Sequence, residues 1–226
     1  MGANMIQAAL IVQMRLDSTR LPQKALLPLG TSILASYVMH RLRSIPAVSY
    51  ILACDEASYE TFAPYASDQG FTIVAGPKND VLLRYCIAAK TTDAQWIIRA
   101  TGDNPLVSYE LASCLLENID EHVDYAAYTG MPKGMGVELV KKSALERVCS
   151  LTTDPYYREH VCPFIYEHPE SFTVKKLQAP QKYAIQGASV TVDTLEDYTL
   201  VKSIIDACPP DPDDDTILAM LRRKYC

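Results

Sequence analysis

The chain has 226 residues, 49% of them hydrophobic and 21% charged, with a formal net charge of −6. That length and balance suit one large α/β domain, and the acidic sign excludes nonspecific nucleic-acid binding, which needs a broad basic surface. No apolar run reaches the length of a bilayer span and the N-terminus lacks a signal-peptide pattern, so a cytoplasmic protein without membrane insertion is expected.

Ala8–Val12 reads as a first strand, and Ser32–Arg43 as a helix with Leu34, Val38 and Leu42 on one face. Ser49–Ala53 is predicted as strand, Ser58–Gln69 as helix, and Phe71–Ala75 as strand. Asp80 is placed to cap a helix over Asp80–Lys90, Trp96–Ala100 reads as a buried strand, and Ser108 caps a helix to Asn118. Such alternation predicts a mostly parallel sheet covered by helices. Further on, Tyr125–Tyr128 is strand-like, and Lys133–Val140 is a glycine-containing loop entering a strand. Ser143–Ser150 and Tyr156–His168 read as helices, Phe172–Leu177 and Ala188–Val192 as strands. Thr194–Ala207 is predicted helical, with Thr194 and Asp197 forming a capping box, and the Pro209–Asp215 linker leads to a terminal helix over Thr216–Lys224. The layout expected is a single domain over residues 5–226, starting at Met5, with a mixed α+β insertion near 125–190.

The seven cysteines are scattered and include no Cys-x-x-Cys, so free thiols are expected rather than disulfides or a zinc knuckle. There is no nucleophile elbow, no GxGxxG and no Walker glycine-lysine loop; His160 and His168 read as surface helix histidines.

Three segments carry chemistry. After the first strand, Arg15, Ser18, Thr19, Arg20 and Lys24 crowd around Pro22. Guanidinium forks and an ammonium there suit a polyphosphate, with a solvated basic loop as the equal alternative. Gly102-Asp103 ends the Trp96 strand and is stopped by Pro105, an arrangement suited to a magnesium ligand shared with phosphates, or to a plain Asp-Asn-Pro turn. Asp193 ends the Val190-Thr191-Val192 run just ahead of a helix, and the two aspartates together could hold one or two magnesium ions. Asp80 and Arg84 share a helix face that could border the same pocket.

These residues resemble, in order and over most of the chain, the spore-coat-polysaccharide-type cytidylyltransferases, relatives of the CMP-KDO and CMP-sialate synthetases. The resemblance runs through Ile11-Val12-Gln13-Met14-Arg15, Ser18-Thr19-Arg20-Leu21-Pro22-x-Lys24, Asp80-Val81-Leu82-x-Arg84-Tyr85 and Arg99-x-Thr101-Gly102-Asp103-x-Pro105-Leu106. It continues with Arg158-Glu159-His160-Val161, Tyr166-Glu167-His168-Pro169 and Thr191-Val192-Asp193-Thr194-x-Glu196-Asp197.

The resemblance implies a nucleotide-diphospho-sugar transferase-like α/β fold and transfer of CMP from CTP to an acidic sugar-like acceptor, with release of pyrophosphate. It implies nucleotide contacts from Gln13, Arg15, Ser18, Arg20, Lys24, Asp80 and Gly102, with Arg15, Lys24 and Asp103 catalytic. It also implies Asp103 and Asp193 as Mg²⁺ ligands, Gly134 and Glu138 facing the acceptor, and a homodimer through the 125–190 region. Two departures stand out. Lys133 and Gly136 stand where relatives carry acidic residues, and Leu16-Asp17 places a negative charge beside the expected triphosphate. The other readings are a glycosyltransferase, for which Gly102-Asp103-Asn104 lacks a first carboxylate, and a nucleotide-binding homologue that lost its chemistry around 133–138.

Overall fold

The computed structural model describes residues 6–225; the expected start at Met5 and the terminal Cys226 lie outside them. The chain runs through β1 (Ala8–Gln13), a small hairpin of β2 (Pro28–Leu29) and β3 (Ser32–Ile33), then α1 (Leu34–Leu42), β4 (Ser49–Asp55) and α2 (Tyr59–Asp68). It continues with β5 (Thr72–Gly76), α3 (Val81–Ala89), β6 (Trp96–Thr101), α4 (Tyr109–Glu117), β7 (Tyr125–Thr129) and β8 (Glu138–Lys141). The remaining elements are α5 (Lys142–Leu151), α6 (Pro155–His160), α7 (Pro163–Glu167), β9 (Val174–Gln178), α8 (Leu195–Ala207) and α9 (Asp214–Tyr225).

The main sheet has seven strands in the order β5-β4-β1-β6-β8-β7-β9, and β8 alone among them runs against its neighbours. Along β1, Ala8, Leu10 and Val12 pack into one hydrophobic cluster and Ala9 and Ile11 into the other. The period of two thus divides the core into a layer on each face of the sheet, which is why β1 reads as an unbroken apolar run. α1, α2, α4, α8 and α9 cover the first face; α3, α5 and α7 contribute to the second, and α6 packs beside α3.

Four predicted elements differ. The helix expected from Ser32 starts at Leu34, because Ser32 and Ile33 pair with Leu29 and Pro28 in the hairpin. The helix expected over Tyr156–His168 is two short ones, since Val161 takes φ 73° and Pro163 cannot continue a helical ladder. Ala188–Val192 is extended yet joins no strand; Ser189 only bridges to Lys133, while the Val190 and Val192 amides bond to Lys133 O and Asp103 O at 2.8 Å each. The expected Pro209–Asp215 linker gives way to α9 at Asp214. The stretch 125–190 is continuous with the sheet, supplying β7, β8 and β9.

α9 is fastened by a buried ion pair. Arg41, near the end of α1, donates from Nε to Val107 O (2.6 Å), from Nη1 to Pro212 O (2.8 Å) and from Nη2 to Asp214 Oδ1 (3.2 Å). The other Asp214 oxygen accepts from the Ser108 hydroxyl and from Tyr183 OH. Ser108 also caps α4 and follows closely on the loop after β6, so this knot ties the C-terminal helix to that loop. Arg41→Met leaves the Asp214 carboxylate buried without its counter-charge and is expected to lower unfolding free energy by about 3–5 kcal/mol. Denaturant titration checks this; a loss below about 1 kcal/mol would show the knot to be dispensable.

Candidate functional site

From β1 the chain steps to β4 and β5 on one side, then returns to β6 on the other. Ligands of open α/β sheets bind at such a reversal, beyond the carboxyl ends of the strands. Here the loops after β1 and β6 line a cleft of about 510 Å³ with the Lys133–Gly134 segment, the end of α6 and the Thr191–Asp193 strap. A cleft of that size suits a nucleotide-sized molecule.

Lys24 is the hub. Its Nζ donates to Val192 O at 2.6 Å and to Asp193 Oδ1 at 3.0 Å, and lies 3.6 Å from Asp103 Oδ2. The Arg20 guanidinium reaches the same Asp193 oxygen at 3.0 Å. Burial pushes the Asp193 carboxyl up, but the Lys24 hydrogen bond and charge, with Arg20 and Lys133, outweigh it and hold the group below the usual carboxylate value. Asp103 and Asp193 are a hard-oxygen pair suited to Mg²⁺. Among the described residues no three His, Cys, Asp or Glu side chains gather to hold a metal, so further ligands would have to come from a bound substrate or water.

The basic loop is braced from beneath. The Leu16 amide donates to Ser58 Oγ at 3.0 Å, and that hydroxyl donates at 2.5 Å to the buried Asp55 carboxylate at the end of β4. The Met14 amide bonds to Ala53 O at 3.1 Å. On the neighbouring loop, a Cβ at Gly102 would run into the Met14 side chain, so this glycine lets the two loops meet. Asn104 accepts from Thr191 Oγ1 at 2.9 Å, and Val192 N bonds to Asp103 O, which sets Asp193 beside Asp103. Gly134 fits behind this strap with φ +91°; a Cβ there would lie 2.6 Å from Thr191 Oγ1 and 2.9 Å from Asn104 Oδ1.

Gln13, Arg15, Ser18, Arg20, Lys24, Gly102, Asp103, Gly134 and Asp193, named from sequence, all line the one cleft. Three named residues do not, of which Arg84 lies behind the wall and donates to Gln13 Oε1 at 2.9 Å. Asp80 caps α3 through the Leu83 amide at 2.8 Å and pairs with Arg158 at 3.2 Å, which uses up its carboxylate. Glu138 stands behind the wall, paired with Arg99 and accepting from Tyr125 OH at 2.7 Å. Its charge overcomes the burial that would weaken the Arg99 guanidinium, raising that group's affinity for its proton. Asp17 forms an exposed ion pair with Lys78 and is absent from the cleft lining.

Arg99, Lys133, Glu159 and His160 line the cleft without having been assigned to it. Glu159 pairs with Arg15 at 3.4 Å. Their signal was topological, because β6 and the end of α6 must be placed in space before these side chains can be assigned. The Asp55–Ser58 brace carried a local signal, a strand-end aspartate with a hydroxyl three residues on. The six described cysteines are free thiols, and burial pushes Cys54 up to about 11, which keeps it protonated and unreactive.

A family model described as Cytidylyltransferase matches residues 9–214. The chain is 31% identical over 224 residues to the spore coat polysaccharide biosynthesis protein SpsF of Bacillus subtilis, covering 95% of this chain and 93% of that protein. It superposes on a cytidylyltransferase from Leptospira borgpetersenii with a TM-score of 0.89 at 25% identity, covering 97% of this chain and 95% of that one. It is also similar in fold to a CMP:2-keto-3-deoxy-manno-octonic acid synthetase solved in complex with CTP, with a TM-score of 0.69 at 14% identity, covering 88% and 98% of the two chains. No helix of the structure is long and apolar enough to cross a membrane.

The depressed Asp193 carboxyl makes a signed prediction about stability. Its folded value lies below its unfolded one, so the unfolded chain binds more protons and stability rises with pH in that window. The contribution is present above the unfolded value of 3.8 and lost as pH falls through the folded value. Asp193→Asn is therefore expected to flatten the acid limb of the unfolding curve, and an unchanged slope below about pH 4 would contradict the pairing.

Proposed function

This chain belongs to the cytidylyltransferase family, and from that premise we propose that it transfers CMP from CTP to an acidic sugar or related acceptor with release of pyrophosphate. The observation that carries this reading is the convergence of Arg15, Ser18, Arg20 and Lys24 with Asp103 and Asp193 on one cleft. The relative of this fold solved with CTP supports the choice of nucleotide.

In the proposed reaction an acceptor oxygen bonds to the α-phosphorus while the bond from that phosphorus to the oxygen bridging the β-phosphate breaks. Pyrophosphate carries away the electron pair, and the proton lost by an acceptor hydroxyl passes to water. Little covalent help is needed, so positioning and charge neutralisation carry most of the rate. Arg15, Arg20 and Lys24 offer five-donor forks and a point charge to the leaving phosphates. Mg²⁺ held by Asp103 and Asp193 would polarise the α-phosphate and assist the attacking hydroxyl. The acceptor is assigned to the side of the cleft formed by Lys133, Gly134, Arg99 and His160. Arg99 keeps a buried Nε without a partner, in addition to the nitrogen engaged by Glu138.

Lys24→Ala is expected to slow pyrophosphate release by about 10²–10³-fold, the loss typical of one preorganised charge-stabilising group. Asp103→Asn is expected to abolish the response of turnover to magnesium; an intact response would reduce Asp103 to a turn former. Calorimetric titration with CTP, ATP, GTP and UTP is expected to rank CTP first, and a clear preference for another base would overturn the nucleotide assignment.

A further inference from the structure

Asp103 and Asp193 are neutralised before any nucleotide arrives. The Lys24 ammonium lies between them, bonded to Asp193 at 3.0 Å and to Val192 O at 2.6 Å, with Asp103 at 3.6 Å. Its side chain is only 15% exposed, so these contacts are shielded from water and salt far better than a surface ion pair. Arg20, 65% exposed, adds a second and looser cation to the Asp193 oxygen. A divalent ion with two carboxylates and otherwise only water is held weakly, and here it must also displace a resident ammonium from the same oxygens.

Lysine suits such a role. Its charge is a single point on a flexible four-carbon stem, so Nζ can swing while the backbone stays fixed. The backbone is indeed held, because Lys24 opens a short 3₁₀ turn whose next residue, Ala25, is buried. A triphosphate in the cleft offers that ammonium a denser set of negative oxygens than the carboxylate pair does.

We propose that Lys24 is the internal cation of the Asp103–Asp193 pair, keeping free divalent metal out until a nucleoside triphosphate draws the ammonium onto its phosphates. The inference rests on reading the cleft as a nucleotide site. It makes metal and nucleotide mutually dependent ligands, each raising the affinity of the other by the same factor.

The test uses Mn²⁺ as a paramagnetic probe, titrated into the full chain with and without CTP and followed by loss of the free-ion resonance. Wild-type protein alone is expected to bind Mn²⁺ weakly. Lys24→Met, which keeps the stem and removes the charge, is expected to bind Mn²⁺ alone on the order of ten-fold more tightly, while its affinity for CTP falls. Arg20→Gln, at an exposed position where folding is not at risk, is expected to show a smaller gain. Lys78→Met, which removes a charge paired with the exposed Asp17, is expected to leave Mn²⁺ binding unchanged. The proposal is overturned if folded Lys24→Met gains no affinity for Mn²⁺, or if Lys78→Met gains as much. CTP binding and turnover in wild-type protein without a metal gain in Lys24→Met would sink the exchange and leave the transferase reading standing. A metal gain in a protein that binds no CTP would do the reverse.

Discussion

The Lys24 ammonium lying between two carboxylates sets the terms for everything else in the cleft. A site for a metal-bound polyphosphate needs cations for the phosphates and anions for the metal, packed within a few ångströms in a chain that must fold with neither ligand present. Either charge set alone would be repelled by itself and penalised by partial burial. Engaging one set with the other relieves both costs at once. Asp193 reaches this arrangement on a strap bonded to the β6 loop, not on a strand of the sheet.

The second feature is how much of the cleft is held from behind. Leu16 hangs on Ser58 and Asp55, and Gln13 accepts from Arg84 Nη2 at 2.9 Å. Arg84 in turn donates to Pro77 O and Lys78 O, so it joins α3, the loop before it and the end of β1. Arg99 lies over the Tyr85 ring at 5.6 Å and pairs with Glu138, which Tyr125 also contacts. Side chains fixed in this way present their charges without reorganising, which is where electrostatic catalysis has its advantage. Glu138 and Asp80 belong to this supporting layer, and their position explains why they carry charge near the cleft without lining it.

The sheet and most helices were legible because strand and helix periods are local, and β1 shows its two-sided burial in five consecutive apolar residues. The Thr194–Asp197 capping box was legible for the same reason, as were the Asp80 and Ser108 caps. The Val190-Thr191-Val192 run misled. Its β-branched residues favour extended backbone wherever they sit, and only the arrangement of the other strands decides that this segment crosses the strand ends rather than pairing with one. Val161 misled in the opposite direction, since a positive φ at a β-branched residue is imposed by tertiary packing. Asp17 beside Arg15 read as an intrusion on the phosphate loop, yet it is paired with Lys78 outside the cleft lining. Glu159 and His160 were visible as polar helix residues, but their facing depends on where α6 docks.

The knot between Arg41 and Asp214 and the pairing of Lys24 with Asp193 share one property, great separation along the chain. Lys24 and Asp193 lie 169 positions apart, and Arg41 and Asp214 lie 173 apart. Such contacts close large loops and are among the slowest to form during folding. On a ribosome the basic loop emerges early, when no carboxylate partner yet exists for it, and β1 must wait for β6 before its second edge is covered. The cleft is therefore completed only after nearly the whole polypeptide has been synthesised. A nascent or C-terminally shortened chain would carry the basic loop without the aspartate strap that restrains it.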